Sequence, residues 1–217
     1  MLDLDLTSMF RGGGSAGEAP TLEILTVCTG NICRSPLAEQ LLRAALAELD
    51  VTVASAGTHA LVDKPMTREA AKLAASLGVP ADDSRAHRAR WLTELHLAGP
   101  DLVLAMTREH RAYAVGLAPA RLRSTFTVRE FERLATGIPD ADIKVQADAA
   151  GPDAHARIRA ALTLLRAHRD QVEAPSDPAD DDVIDPYRRS WEMYELSAAQ
   201  MTPGIAQVAR VVRAALA

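Results

Sequence analysis

Residues 22–36 read Leu-Glu-Ile-Leu-Thr-Val-Cys-Thr-Gly-Asn-Ile-Cys-Arg-Ser-Pro. Leu22 to Val27 is short, mostly apolar and rich in branched side chains, which predicts a buried strand. Gly30-Asn31 then marks a tight loop, where Gly30 is expected to supply a positive φ and Asn31 to tolerate the left-handed region or bind the loop internally. Beyond Ser35-Pro36, the residues Leu37, Leu41, Leu42, Ala45, Leu46 and Leu49 fall at helical spacing. A strand, a loop and a helix start follow one another without a gap.

Outward from this stretch the alternation repeats. Val51 to Ala54 predicts a second strand, and Thr67 is placed to cap a helix in which Leu73 and Leu77 stack before Gly78 and Pro80 stop it. Asp101 to Met106 reads as one apolar run, as a strand covered on both faces requires, with Thr107 placed to cap the next helix. Ser124 to Val128 repeats the pattern more weakly. Strands separated by helices call for right-handed crossovers, so the expected fold class is α/β: a doubly wound four-stranded parallel sheet with helices on both faces.

Residues 1–20 end in Arg-Gly-Gly-Gly-Ser-Ala-Gly-Glu-Ala-Pro, a composition that favours chain entropy over packing. They are expected to form a flexible leader before a domain over 21–217. Between Leu134 and Val183 the composition turns to Gly, Pro, Asp and Ala with one helical stretch, Ala156 to His168, which marks an insertion at about 136–180. Tyr187 to Ala217 is expected to be helical apart from Pro203-Gly204, with Ile205, Val208, Val212 and Leu216 forming an apolar stripe over the sheet.

At 217 residues and 48% hydrophobic content the chain can bury one full core. A formal charge of −5 gives no general attraction to nucleic acid or an anionic membrane, so an anion has to be bound by a local constellation. No apolar run is long enough to span a bilayer, and the opening residues lack the basic segment of a signal peptide. The expected location is cytoplasmic, without membrane insertion. Cys28 and Cys33 are the two cysteines, and in a reducing compartment such thiols are more often reactive than bridging. The histidines at 59, 87, 96, 110, 155 and 168 show no metal-ligand spacing and read as surface or capping residues.

A loop wrapped around a helix N-terminus aims several backbone N–H groups at one spot, to which the helix dipole adds positive potential. Such a cradle over Thr29, Gly30, Asn31, Ile32, Cys33, Arg34 and Ser35 suits a phosphate-like dianion, and it lies where open parallel sheets bind ligands. The same amides would stabilise a thiolate at Cys28 and make it a nucleophile at neutral pH. Arg34 can grip two phosphoryl oxygens through its planar fork, which a lysine cannot do. Ser35 can give its hydroxyl hydrogen to the thiolate. Cysteine six residues before arginine is a weak signal alone; the preceding strand, the internal Gly-Asn and the following Ser-Pro are what raise it.

Val27-Cys28-Thr29-Gly30-Asn31-Ile32-Cys33-Arg34-Ser35-Pro36 resembles the active-site loop of the low-molecular-weight protein-tyrosine phosphatases, and Ser55-Ala56-Gly57-Thr58, Asp101 to Thr107 and Asp185-Pro186-Tyr187 are similar to further family stretches in the same order. The resemblance implies a metal-free and cofactor-free phosphatase with Cys28 as nucleophile, Arg34 as phosphate clamp and Asp185 as the residue that protonates the leaving oxygen and then activates water. It also implies that Cys33 could close a protective disulfide with Cys28; a small buried thiol is the equal alternative. Asp177, Asp180, Asp181 and Asp182 crowd the same region as an acidic run of the solvated-loop kind, and only the Pro-Tyr context singles out Asp185. Tyr187, with His59 or Leu61 opposite, would wall a substrate ring. Tyr187-Arg188-Arg189-Ser190 looks like bacterial members acting on tyrosine kinases of exopolysaccharide systems, so the expected partner is a phosphotyrosine-containing protein of that kind.

Rival readings come from other classes. Thioredoxin-coupled arsenate reductases share the loop but use two further downstream cysteines, which this chain lacks after Cys33; a reductase coupled to an external small thiol would need only Cys28. Protein-arginine phosphatases tend to carry threonine where Ile32 stands. A non-catalytic phosphotyrosine-binding module would be expected to have lost Cys28, Arg34 or Asp185.

Overall fold

The structure, a computed structural model, describes residues 21–217, so the leader expected over 1–20 lies outside the described residues. Strands β1 (Leu22–Cys28), β2 (Val51–Gly57), β3 (Leu102–Ala105) and β4 (Thr125–Thr127) form one parallel sheet in the order β2-β1-β3-β4. Val27 of β1 stands beside Ala56 on one side and Ala105 on the other. Side chains alternate across the pleat: Leu22, Ile24 and Cys28 enter one core, Leu25 and Val27 the other. Both faces of β1 are therefore dry, which is why its sequence is nearly all apolar.

The helices are α1 (Arg34–Ala45), α2 (Arg68–Ser76), α3 (Ala81–Ala86), α4 (Glu94–Ala98), α5 (Arg108–Leu117), α6 (Val128–Thr136), α7 (Asp140–Ala149), α8 (Ala154–Ala167) and α9 (Trp191–Leu216). Thr67 and Thr107 cap α2 and α5, accepting from the N–H groups of Ala70 and His110. The smaller core sets Leu92, Leu97 of α4 and Ala114 of α5 against Leu25, Val27 and Val103; the larger core packs α1, α2 and α6 to α9 on the opposite face. The sheet is doubly wound, as expected.

Two expectations need correction. The segment 136–180 holds two helices, not one, and Ile143 and Ala147 of α7 with Ile158, Ala161, Leu162 and Leu165 of α8 are buried in the larger core. The helix α7 shows only Ile143 and Ala147 as a buried pair among acidic neighbours, too thin a stripe to read from periodicity. The second concerns α9, which does not break at Pro203-Gly204 but runs through it. A mid-helix proline costs about 3 kcal/mol. Burial of Met201, Ile205, Val208, Val211 and Val212 offsets it, at about 1.5–3 kcal/mol for each large side chain.

Gly204 lets α9 approach the start of α6: a Cβ there would lie 2.5 Å from Val128 Cγ1 and 2.6 Å from Val128 O. Gly204→Ala should gain up to ~1 kcal/mol of helix propensity and lose more to overpacking against backbone, for a net destabilisation of about 1–2 kcal/mol. Urea unfolding should show a lower midpoint at unchanged slope. A midpoint at or above that of the natural protein would mean that α6 and α9 can separate freely.

Candidate active site

The loop after β1 is held from outside. The carbonyls of Cys28, Thr29, Gly30 and Ile32 accept from the N–H groups of Thr58, His59, Leu61 and Thr67 at 2.9–3.1 Å, and the Asn31 carbonyl accepts from His87 Nε2 at 2.7 Å. In a trans peptide the next N–H points away from the carbonyl, so the amides of residues 29–33 turn inward, to the side lined by Cys28 and Arg34. Asn31, at φ 55°, makes the left-handed turn. The expectation that Gly30 would carry positive φ is corrected: its φ is ordinary, and the asparagine does this work because its amide is tied on every side. Asn31 Nδ2 donates to Ser35 Oγ (3.0 Å) and Ser55 Oγ (2.8 Å), and Asn31 Oδ1 accepts from the Arg90 N–H (2.9 Å).

These bonds give the site a direction. Ser55 passes its hydrogen to the buried Glu39 carboxylate, itself paired with Arg43. Ser35 Oγ, already accepting from Asn31, has Cys28 Sγ at 3.0 Å and Ala56 O at 3.4 Å as acceptors for its one hydrogen, and the sulfur is the nearer. A negative charge brought to this spot would meet a hydroxyl, inward amides and the N-terminus of α1. Gly57 keeps the neighbouring loop close, since a Cβ there would sit 2.5 Å from Thr29 O.

Arg34 begins α1 and its side chain is 5% exposed. Its Nη1 donates to Val183 O (3.1 Å), and its Nη2 reaches Thr29 Oγ1 (3.4 Å) and Asp185 Oδ2 (2.8 Å). Its Nε is buried with no partner among the described residues. A buried charged donor left unpaired is costly, and the edge formed by Nε and Nη2 has the geometry to donate to two oxygens of an anion.

Asp185 is half exposed and accepts from the Tyr187 N–H at 3.1 Å. The acidic run before it is a solvated loop only in part: Asp177 and Asp180 are exposed, but Asp181 and Asp182 are not. Asp182 accepts from the Arg108 N–H at the start of α5 (2.7 Å), Asp181 pairs with Arg133 (3.0 Å), and the Val183 N–H binds Met106 O (2.8 Å). These ties fix the segment that carries Asp185. Cys28, Thr29, Gly30, Ile32, Cys33, Arg34, His59, Leu61, Asp185 and Tyr187 together line one cavity of about 160 Å³. The His59 ring leans on Trp91 and Tyr113, each 5.8 Å between centroids.

Cys33 faces away, its sulfur 3.4 Å from Thr67 Oγ1 and 3.8 Å from Tyr194 OH, and burial pushes its thiol up to about 11. Both cysteines are free. The reading of all six histidines as surface or capping residues is corrected. His87 holds the loop, and His110 is 4% exposed beside the site, 2.8 Å from Thr29 Oγ1. Thr107-x-x-His110 announced only a cap; nothing in the spacing showed that Thr29 would meet it.

Burial, then Arg34, lower His110 from 6.5 to about 3. A histidine held neutral in the fold but free to protonate when unfolded adds stability above pH 6.5 that is lost as pH falls toward 3. His110→Gln should therefore flatten the stability–pH curve in that window, where the natural protein loses up to about 1.4 kcal/mol per unit from this group. Parallel curves from urea titrations at several pH values would show that His110 protonates in the fold.

The family model for low molecular weight phosphotyrosine protein phosphatases matches residues 23–144. Etp of Escherichia coli K12, a low molecular weight protein-tyrosine-phosphatase, is 48% identical over 96 residues, which make 44% of this chain and 62% of Etp, so less than two thirds of that relative is spanned. The probable phosphatase EpsP of Ralstonia nicotianae is 38% identical over 116 residues, 54% of this chain and 77% of EpsP. Among solved structures, the low molecular weight protein tyrosine phosphatase of T. tengcongensis superposes with a TM-score of 0.59 at 28% identity, over 87% of this chain and 97% of that one. The YwlE arginine phosphatase of Geobacillus stearothermophilus also gives 0.59, at 26% identity over 87% and 90%. The family match contains the whole Cys28–Arg34 loop and stops short of Asp185. With the sheet order, the inward amides and the Arg34 edge in agreement with it, the chain belongs to the low molecular weight phosphotyrosine protein phosphatase family.

Proposed function

We propose that the protein hydrolyses phosphotyrosine through a phosphocysteine intermediate. The observation that carries this reading is the Arg34 edge: Nε without a partner among the described residues, Nη2 held by Asp185, and Cys28 in the lining of the same cavity. A phosphoryl group binding there would take Nε and Nη2 side by side and release Asp185. Asp185, freed from Arg34, takes up a proton from solvent; Cys28 Sγ then attacks phosphorus in line, the bond from phosphorus to the aryl oxygen breaks, and Asp185 gives that oxygen its proton. In the second step the Asp185 carboxylate takes a proton from water, the water oxygen attacks phosphorus, and the P–S bond breaks to return the thiolate and inorganic phosphate. Amides 29–33 and Arg34 hold the equatorial oxygens throughout.

Ile32, buried in the cavity lining, and Tyr187, His59 and Leu61 in the same lining suit an aromatic ring better than a phosphorylated guanidinium. Arg188 stacks over the Tyr187 ring at 5.1 Å and brings positive charge to the mouth, as a phosphorylated protein segment requires. The substrate is read as a phosphotyrosine-containing protein, with a bacterial exopolysaccharide-system tyrosine kinase as the first candidate. No described helix is long and apolar enough to cross a membrane, and two free thiols fit the reducing cytoplasm. None of residues 136–180 lines the Cys28 cavity, and that segment is read as an insertion that buttresses α9.

Rapid mixing of the reduced protein with para-nitrophenyl phosphate in EDTA tests the reading. A burst of nitrophenolate approaching one per protein, followed by slower turnover, is the expected trace. Absence of both burst and turnover would sink it, and reduction of arsenate with an external thiol would then be assayed.

A further inference from the structure

Arg34 has three tethers, and the proposed chemistry releases one. Asp185 must let go of Nη2 to protonate the leaving group, which leaves Val183 O on Nη1 and Thr29 Oγ1 on Nη2. Thr29 Oγ1 is in turn 2.8 Å from His110 Nε2, and His110 Nδ1 is 2.8 Å from Thr107 Oγ1, the N-cap of α5. The buried imidazole therefore links the loop after β1 to the helix after β3, across the point where the strand order reverses.

Thr29 Oγ1 and Thr107 Oγ1 each touch one ring nitrogen, and a neutral ring donates to one and accepts from the other. Arg34 Nη2 also donates to Thr29 Oγ1 and the His110 N–H to Thr107 Oγ1, so either tautomer keeps both hydroxyls bonded to the imidazole. A doubly protonated ring would place a second cation beside Arg34. Burial and that arginine oppose it, as does neighbouring His59 when charged, and no carboxylate among the described residues pairs with the ring.

We infer that His110 is a positioning residue: through Thr29 it holds the Nη2 end of Arg34 in the plane that two phosphoryl oxygens need once Asp185 has released it. This rests on the phosphatase reading for its purpose, but its first readout is anion binding, which does not.

Calorimetric titration with inorganic phosphate, together with thermal melting, would compare the natural protein with Thr29→Val, His110→Leu, His110→Gln and the Thr29→Val/His110→Leu double variant. Thr29→Val and His110→Leu should each weaken phosphate binding roughly tenfold, as loss of a tether to a charged group does. The double variant should be no weaker than the worse single. Glutamine, able to accept from Thr29 and donate to Thr107, should stay within about threefold of the natural protein. Natural affinity in a folded His110→Leu, or losses that multiply in the double variant, would overturn the inference by making His110 mere filling. If His110→Leu does not fold, Thr29→Val against His110→Gln decides: a tenfold loss in the first with near-natural binding in the second supports the tether, and equal affinities remove it. Phosphate binding that follows the expected pattern in a protein that hydrolyses no aryl phosphate would end the phosphatase reading and leave this one standing.

Discussion

Cys28→Ser should lower turnover of para-nitrophenyl phosphate by at least about 10⁴-fold while leaving inorganic phosphate binding within several-fold of the natural protein. The two halves of this result have different causes. Turnover by this mechanism needs a charged nucleophile, and a serine hydroxyl stays protonated at neutral pH. The partner of Cys28 Sγ is Ser35 Oγ, a hydroxyl and no base, and Asp185, once phosphate releases it from Arg34, serves the leaving oxygen as an acid. Phosphate binding depends on the inward amides of 29–33 and the Arg34 edge, none of which the substitution touches. The fold should survive, because oxygen for sulfur at a buried position that already has a hydroxyl partner 3.0 Å away strands no polar group. A serine variant retaining more than about one hundredth of natural turnover would place the nucleophile elsewhere.

Asp185→Asn should slow phenyl phosphate hydrolysis by about 10²–10³-fold and para-nitrophenyl phosphate hydrolysis far less, within the range that a single general acid supplies. A phenoxide whose conjugate acid has a pKa near 10 leaves poorly without a proton, whereas nitrophenoxide leaves unaided. The amide keeps a hydrogen-bonding oxygen for the Tyr187 N–H, so the loop tied by Asp181, Asp182 and Val183 should hold its shape. Losing the negative charge also frees the Arg34 edge, so KM should fall or hold while kcat drops for the poor leaving group. Arg34→Lys should damage both substrates alike, since a point charge cannot replace a fork that also reaches Val183 and Thr29. Equal losses for both esters in Asp185→Asn would remove Asp185 from proton transfer.

The pattern of what was readable follows the range of the physics. Strand β1 announced itself through branched apolar residues, and α2 and α5 through threonine caps, because a side chain three residues from an open N–H acts locally. The short α6 carries the same kind of signal in Thr127 and Glu130, a reciprocal cap that overlaps the end of the β4 pattern. A break at Pro203 follows from a true local cost, which burial against the α6 start outweighs. Helix α7 had too few apolar residues to show its face until α8 and α9 enclosed it.

The candidate site divides along the same line. Cys28, Asn31, Arg34 and Ser35 lie on eight consecutive residues, so the groups from which the proposed anion site is built are present in the order of residues alone. What turns those residues into a site comes from far along the chain: the Thr58 to Thr67 amides that turn the loop's carbonyls outward, His87 and Arg90 on Asn31, Val183 and Asp185 on Arg34, and His110 on Thr29. Hydrogen bonds act over about 3 Å, whatever the separation in sequence. The chain order therefore named the reactive groups, and only the packing of β1 between β2 and β3 decided which distant side chains came close enough to orient them.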